Sequence, residues 1–233
     1  MCFYNSMNVK AQKLAARYGR NLSVIEMAEQ ILADQYRVTA FTYPDYPIIT
    51  SDPAIQHFKW GLIPFWVKDE DQAEEIRRMT FNARADTIFK KPSFREPILK
   101  KRCLVPSTGY FDWRHEEGKK IPYYIYVKDE SIFSMAGIYD SWLDKSTGEV
   151  IYTFSIITTD TNPLTDFIHN AKHRMPAILS EEDEEKWLDP ALDKKSIEKL
   201  LQPFPAERMD AYIIENDFLK KRSNDPTILE KAR

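Results

Sequence analysis

Cysteine is scarce in this chain: Cys2 and Cys103 are all it has, too few for a disulfide framework and two thiols short of a four-cysteine zinc site. No uninterrupted apolar run approaches the roughly 20 residues that cross a bilayer. The N-terminus also lacks the basic segment followed by an apolar stretch that marks a secretory signal. These omissions point to a cytoplasmic protein with no membrane span. An excess of one charge is missing too. The net charge of -3 gives no global attraction to nucleic acid, so any contact with DNA must rest on a local patch. Internal repeats, low-complexity stretches and long linkers are absent, which leaves one domain in 233 residues.

A hydrophobic content of 43%, with 13% aromatics, is enough to fill the core of such a domain. Apolar residues recur at helical spacing over Val9 to Tyr18 and Ser23 to Ala33, with Ser23 placed as an N-cap. Tyr36 to Tyr43 alternates, and Tyr43 to Pro53 reads as strand, turn and short strand. Further strands are expected at Gln56 to Leu62, Arg102 to Val105, Tyr110 to Arg114, Pro122 to Lys128, Ile132 to Ile138 and Ile151 to Thr158. Helical pattern returns at Glu181 to Leu188 and Lys194 to Leu201, before a last strand at Met209 to Ile214. The pattern predicts one α+β domain over residues 1–214, with a curved, mostly antiparallel, barrel-like sheet flanked by helices. Residues 215–233 read as a charged, flexible tail.

Cys2 follows the initiator methionine, and so small a residue permits excision of Met1. The product carries a free α-amine, with a pKa near 7.7 to 8, and a thiol one β-carbon away. Such a 1,2-aminothiol condenses with an aldehyde: the amine forms a Schiff base, the thiol adds to the imine carbon, and a thiazolidine ring closes. Taken alone, a cysteine at position 2 is more often only a small residue.

Other segments offer partners for that chemistry. Trp60 and Trp66 bracket a Gly-Leu-Ile-Pro-Phe turn and offer either stacking faces for unpaired bases or core packing. Asn82 and Arg84 stand two apart, an amide to orient a hydroxyl and a guanidinium to hold a phosphate, or else Asn82 is merely a helix cap. Basic residues crowd the stretch from Arg84 to Arg102, namely Lys90, Lys91, Arg95, Lys100 and Lys101, with Phe89 and Phe94 interleaved; a solvated face is the plainer reading. Asp112 lies among Tyr110, Phe111 and Trp113, where desolvation raises a carboxyl toward general-acid duty. Cys103, in an apolar strand, reads as an inert core thiol. His169 and His173 have the spacing of two zinc ligands, but a metalloprotease needs Glu directly after the first, and Asn170 stands there. An acid/base histidine, with Lys172 and Arg174 on phosphates, suits the stretch better. No metal or cofactor is expected.

In this order the segments Met-Cys, Trp-Gly-Leu-Ile-Pro, Asn-Ala-Arg-Ala, Cys-Leu-Val-Pro with Gly-Tyr-Phe-Asp-Trp, and Arg-Met-Pro-Ala-Ile-Leu resemble the SOS-response-associated peptidase (SRAP) family of abasic-site processing proteins. The match runs from Cys2 to about Leu179. The resemblance implies a protein of the DNA damage response that removes its own Met1, binds single-stranded DNA and crosslinks Cys2 to an abasic site as a thiazolidine, with little lyase activity. It needs neither a membrane nor an obligate protein partner. It implies Cys2 as nucleophile, Asn82 as orienting residue, Asp112 as acid and His169 as catalytic histidine, with Arg84 on a phosphate. Three departures stand out. Phe3 and Tyr4 replace the frequent Gly-Arg, Asp112 stands where Glu is common, and Lys172 occupies the usual histidine position. The last leaves His169 and His173 as alternatives.

Overall fold

The computed structural model describes residues 2–22 and 35–232; the helix expected over Ser23 to Ala33 lies outside them. The chain opens with β1 (Tyr4–Met7), α1 (Ala11–Tyr18), β2 (Gln35–Thr39), β3 (Asp45–Ile48) and β4 (Gln56–Trp60). It continues through α2 (Glu70–Arg77), β5 (Asn82–Arg84), α3 (Pro97–Lys100), β6 (Arg102–Ser107) and β7 (Gly109–Glu116). The long strands β8 (Lys119–Val127), β9 (Phe133–Leu143) and β10 (Val150–Asp160) follow. Last come α4 (Pro163–Ile168), β11 (Arg174–Pro176), β12 (Ile178–Leu179), α5 (Glu181–Leu188), α6 (Lys194–Leu200) and β13 (Met209–Ile213).

The strands form two sheets rather than one closed barrel. One runs in the order β13-β8-β7-β1-β2; the other has the order β12-β9-β10-β4-β3, with β6 added on β9 and both β5 and β11 on β10. Among the described strands only the pairings of β10 with β4 and β5 are parallel, so the fold is α+β and mostly antiparallel, as the alternating pattern predicts. β6 is buried along its whole length, and its apolar residues pack with Trp60, Phe154 and Ile156 into the main core. Burying such side chains stabilises by about 1.5 to 3 kcal/mol each.

The chain crosses from one sheet to the other at Thr108, between β6 and β7. Gly109 is obligatory there, because a Cβ at that position would overlap the Tyr124 ring. Tyr124 in turn donates its hydroxyl to the Thr108 carbonyl at 2.8 Å. The same crossing lets Ser107 donate to Asn5 Oδ1 at 2.6 Å, while Asn5 Nδ2 donates to the Tyr46 hydroxyl at 2.6 Å. This buried polar network ties β1, and with it the N-terminus, to strands β3 and β6 of the other sheet.

One alternative falls away and two expectations need correction. Asn82 opens a strand and caps no helix, because β10 offers it a parallel partner at Ile156. The stretch Tyr43 to Pro53 holds one strand, β3, and no second short one in a named sheet element. The C-terminal segment is not a loose tail: Phe218 and Ile228 are buried with Phe111, the Phe218 ring stacks 5.0 Å from that of Phe111, and Ile214 pairs with Lys231.

Candidate active site

Cys2 lies two residues before β1, the strand between β2 and β7 in its sheet. Antiparallel pairing sets Asn5 opposite Tyr110 and Ser6 opposite Gly109, so the chain upstream of Tyr4 leaves along Phe111 to Trp113. That register brings the N-terminus toward Asp112. From the other sheet Asn82 Nδ2 donates to the Cys2 carbonyl at 3.0 Å. The other end of this amide, Oδ1, is buried and has no hydrogen-bond partner among the described residues, an acceptor whose desolvation calls for a donor. Cys2 is only 1% exposed. Burial pushes its thiol up to about 12, so sulfur is held as a thiol rather than a thiolate.

Asp112 and His169 meet from different elements. Asp112, on β7, accepts the Trp113 N–H at 2.9 Å on Oδ1 and turns Oδ2 toward His169 Nδ1, 3.5 Å away. His169 follows the last residue of α4, a helix begun by a capping box between Asn162 and Thr165 with Pro163 in the first turn. The Arg174 carbonyl lies 2.7 Å from His169 Nδ1. A carbonyl only accepts, so the proton sits on Nδ1 and the neutral ring presents Nε2 as an acceptor. Burial raises the Asp112 carboxyl above the usual carboxylate range, against the pull of His169 and the Trp113 N–H. Burial also lowers His169, while Asp112 opposes the change. The two groups are thus pushed toward a protonated acid and a neutral base, the arrangement acid/base catalysis uses.

Beside this pair opens a cleft of about 420 Å³. Phe3, Tyr4, Phe41 and Trp113 form its aromatic walls, and His115, Lys120 and Lys172 supply its basic side. Phe41 is 53% exposed and its ring stands 5.2 Å from that of Phe3, offering a flat face to a ligand. Phe41 and Lys120 carry no sequence signal beyond being one aromatic and one lysine among many; only the fold gathers them.

The remaining sequence candidates divide. Trp60 is wholly buried, its indole N–H donating to the Phe81 carbonyl at 3.0 Å and its ring stacked on Phe154. It belongs to the core and has no face for a base, which corrects the stacking expectation. Trp66 is 39% exposed but does not line the cleft. Arg84 is exposed and grips Asp86 with two bonds, of 3.1 and 2.5 Å. Arg174 is buried, donating to Asp160 Oδ1 at 3.0 Å and to the Thr158 carbonyl at 2.6 Å, while its buried Nε has no partner among the described residues. Its Nη2 stands 3.9 Å from Asp86, so one acid links both arginines. His173, exposed with φ 50, bonds Asp166 at 2.6 Å; His169, and not His173, is the histidine beside Asp112. In the basic run, Arg102 is buried against the Trp187, Ile98, Leu99 and Asp189 carbonyls, and Lys101 pairs with Asp140 at 2.6 Å. Lys91, Arg95 and Lys100 are exposed.

Fold and site together define a member of a known class. The model of the SOS response associated peptidase (SRAP) family matches residues 1–220, and the chain belongs to that family. It is 35% identical over 218 residues to the abasic site processing protein YoqW of Bacillus subtilis, covering 88% of this chain and 94% of that protein. It is 38% identical over 175 residues to the abasic site processing protein HMCES of Gallus gallus, covering 66% of this chain but 51% of the longer relative. A crystal structure of a protein from Bacteroides thetaiotaomicron superposes with a TM-score of 0.97 at 69% identity over 100% of both chains. Another, from Bordetella bronchiseptica, shares the fold at a TM-score of 0.78 and 21% identity.

Proposed function

We propose that this protein processes abasic sites in single-stranded DNA by covalent capture on Cys2 after it has removed its own Met1. The observation that carries the reading is the convergence of Cys2, Asn82, Asp112 and His169, drawn from separate elements, beside an aromatic cleft with basic residues along it. Relatives named for abasic-site processing support the choice of substrate.

An abasic sugar is in equilibrium with a ring-opened aldehyde. Asp112, whose buried carboxyl holds its proton more tightly than an ordinary aspartate, donates to the departing sugar oxygen as the Cys2 amine adds to C1′, and His169 assists ring opening. Loss of water leaves the imine. The Cys2 thiol then adds across it, sulfur to carbon and its proton to nitrogen, so the ring closes with no oxidant or reductant. A thiol with a raised pKa carries the proton that this last step needs. Asn82 Nδ2 holds the Cys2 carbonyl, and its unpartnered Oδ1 accepts from the freed amine or a sugar hydroxyl. Thiol addition suppresses β-elimination, so strand scission is minor.

Affinity comes from phosphate contacts at Arg84, Arg174 and the exposed lysines, and from stacking worth about 1 to 3 kcal/mol per base. Phe41, Tyr4 and Trp113, which line the cleft, supply the stacking faces in place of the buried Trp60, while Trp66 and His173 do not line it. Denaturing electrophoresis of wild type and Cys2→Ala with an abasic oligonucleotide tests the reading: an adduct surviving in the variant removes its foundation.

A further inference from the structure

The residue after His169 is engaged with the neighbouring strand. Asn170 Oδ1 accepts from the His115 backbone N–H at 3.0 Å, and Asn170 Nδ2 donates to the His115 carbonyl at 2.8 Å. The side-chain amide therefore pairs with β7 as another strand residue would. The position is open to it because β1 covers that strand only at Gly109 and Tyr110. A second tie lies alongside: Arg114 Nη1 donates to the Phe167 carbonyl, and its guanidinium sits 3.9 Å above the Phe167 ring.

These ties act at a vulnerable point. α4 has six residues, too few to hold its own C-terminus by helix formation alone. The turn after it, Ala171 to His173, is exposed and includes the left-handed His173. His169 and Asp112 nevertheless face each other at 3.5 Å, and Asn170 and His115 are their near neighbours in sequence on the two elements.

We infer that Asn170, assisted by Arg114, is a positioning residue that clamps the end of α4 to β7 and so holds the His169 ring against Asp112. The kinetic consequence rests on the covalent-capture reading; the clamp itself does not. Removing the amide lets the turn swing, and a misplacement of the order of 1 Å costs roughly 100-fold in rate.

Two readouts on the full chain test this. In DNA-free protein, histidine ring resonances followed by NMR report the His169 setting in wild type, Asn170→Ala and Asn170→Asp. The clamp predicts that Asn170→Ala moves the His169 signals toward those of a solvated imidazole without loss of the fold by circular dichroism. Single-turnover crosslinking at saturating abasic oligonucleotide should then fall roughly 10- to 100-fold. Asn170→Asp, which keeps the acceptor for the His115 N–H, should recover part of both and serves if the alanine variant does not fold. Wild-type resonances and a wild-type rate constant in Asn170→Ala would overturn the clamp. If wild type itself forms no adduct, the capture reading fails while the NMR comparison still decides the clamp.

Discussion

At Asp112 the burial that suits an acid also bears on stability. Its buried carboxyl has a folded pKa above the ordinary value, so the folded protein holds that proton more tightly than the unfolded chain does. The associated stability is fully present below the unfolded pKa and is lost as pH rises through the folded one. Asp112→Asn, which cannot ionise, should therefore raise Tm near neutral pH, with the gain fading as the pH falls into the carboxylate range; an unchanged Tm difference across that range would contradict the assignment. The same variant should lower the crosslinking rate by about 10² to 10⁴. In wild type the rate should rise with pH as the Cys2 amine loses its proton and fall again as Asp112 loses its own. Only the falling limb should vanish in Asp112→Asn. Asn82→Ala should also slow crosslinking, since it removes both the bond to the Cys2 carbonyl and the waiting acceptor.

Phe218 ties the C-terminal segment to β7, the strand that bears Asp112. Its ring contacts both Phe111 and Trp113 and is 1% exposed. Phe218→Ala should cost about 3 to 5 kcal/mol in urea unfolding, whereas a free tail would lose nothing. That segment was hard to read because charged residues surround its few apolar anchors, and no period links Phe218 to Ile228. The long strands and the helix Glu181–Leu188 were legible because period and length agree over many residues. The short elements were not. α4 is announced only by Asn162, Pro163 and Thr165, while β5 takes its shape from β10, a partner 74 positions away between Asn82 and Ile156. The same limit explains Trp60: sequence marks a tryptophan beside a turn, but only packing decides which face is covered. Cys2, Asn82, Asp112 and His169 were legible as motif residues, and their meeting depends on the pairing of β1 with β7 and the end of α4.

The whole molecule has a net charge of -3, and several of its cations are already paired, Arg84 with Asp86 and Lys101 with Asp140 among them. Binding to single-stranded DNA should therefore weaken with salt, with a slope of about 0.7 per phosphate neutralised, and only a few phosphates should be counted. Phe41→Ala should weaken binding by about 1 to 3 kcal/mol with the salt slope unchanged, while Lys172→Ala should reduce that slope. Affinity that did not respond to salt would contradict the electrostatic part of the account. Capture makes a bond rather than an affinity, and intact mass spectrometry reads that bond before and after mixing with single-stranded DNA that carries one abasic site. The expected result is a protein lacking Met1 that gains the mass of the oligonucleotide less water, and a Cys2→Ala protein that gains nothing. Retained Met1, or an unchanged mass in the presence of the abasic strand, would contradict it.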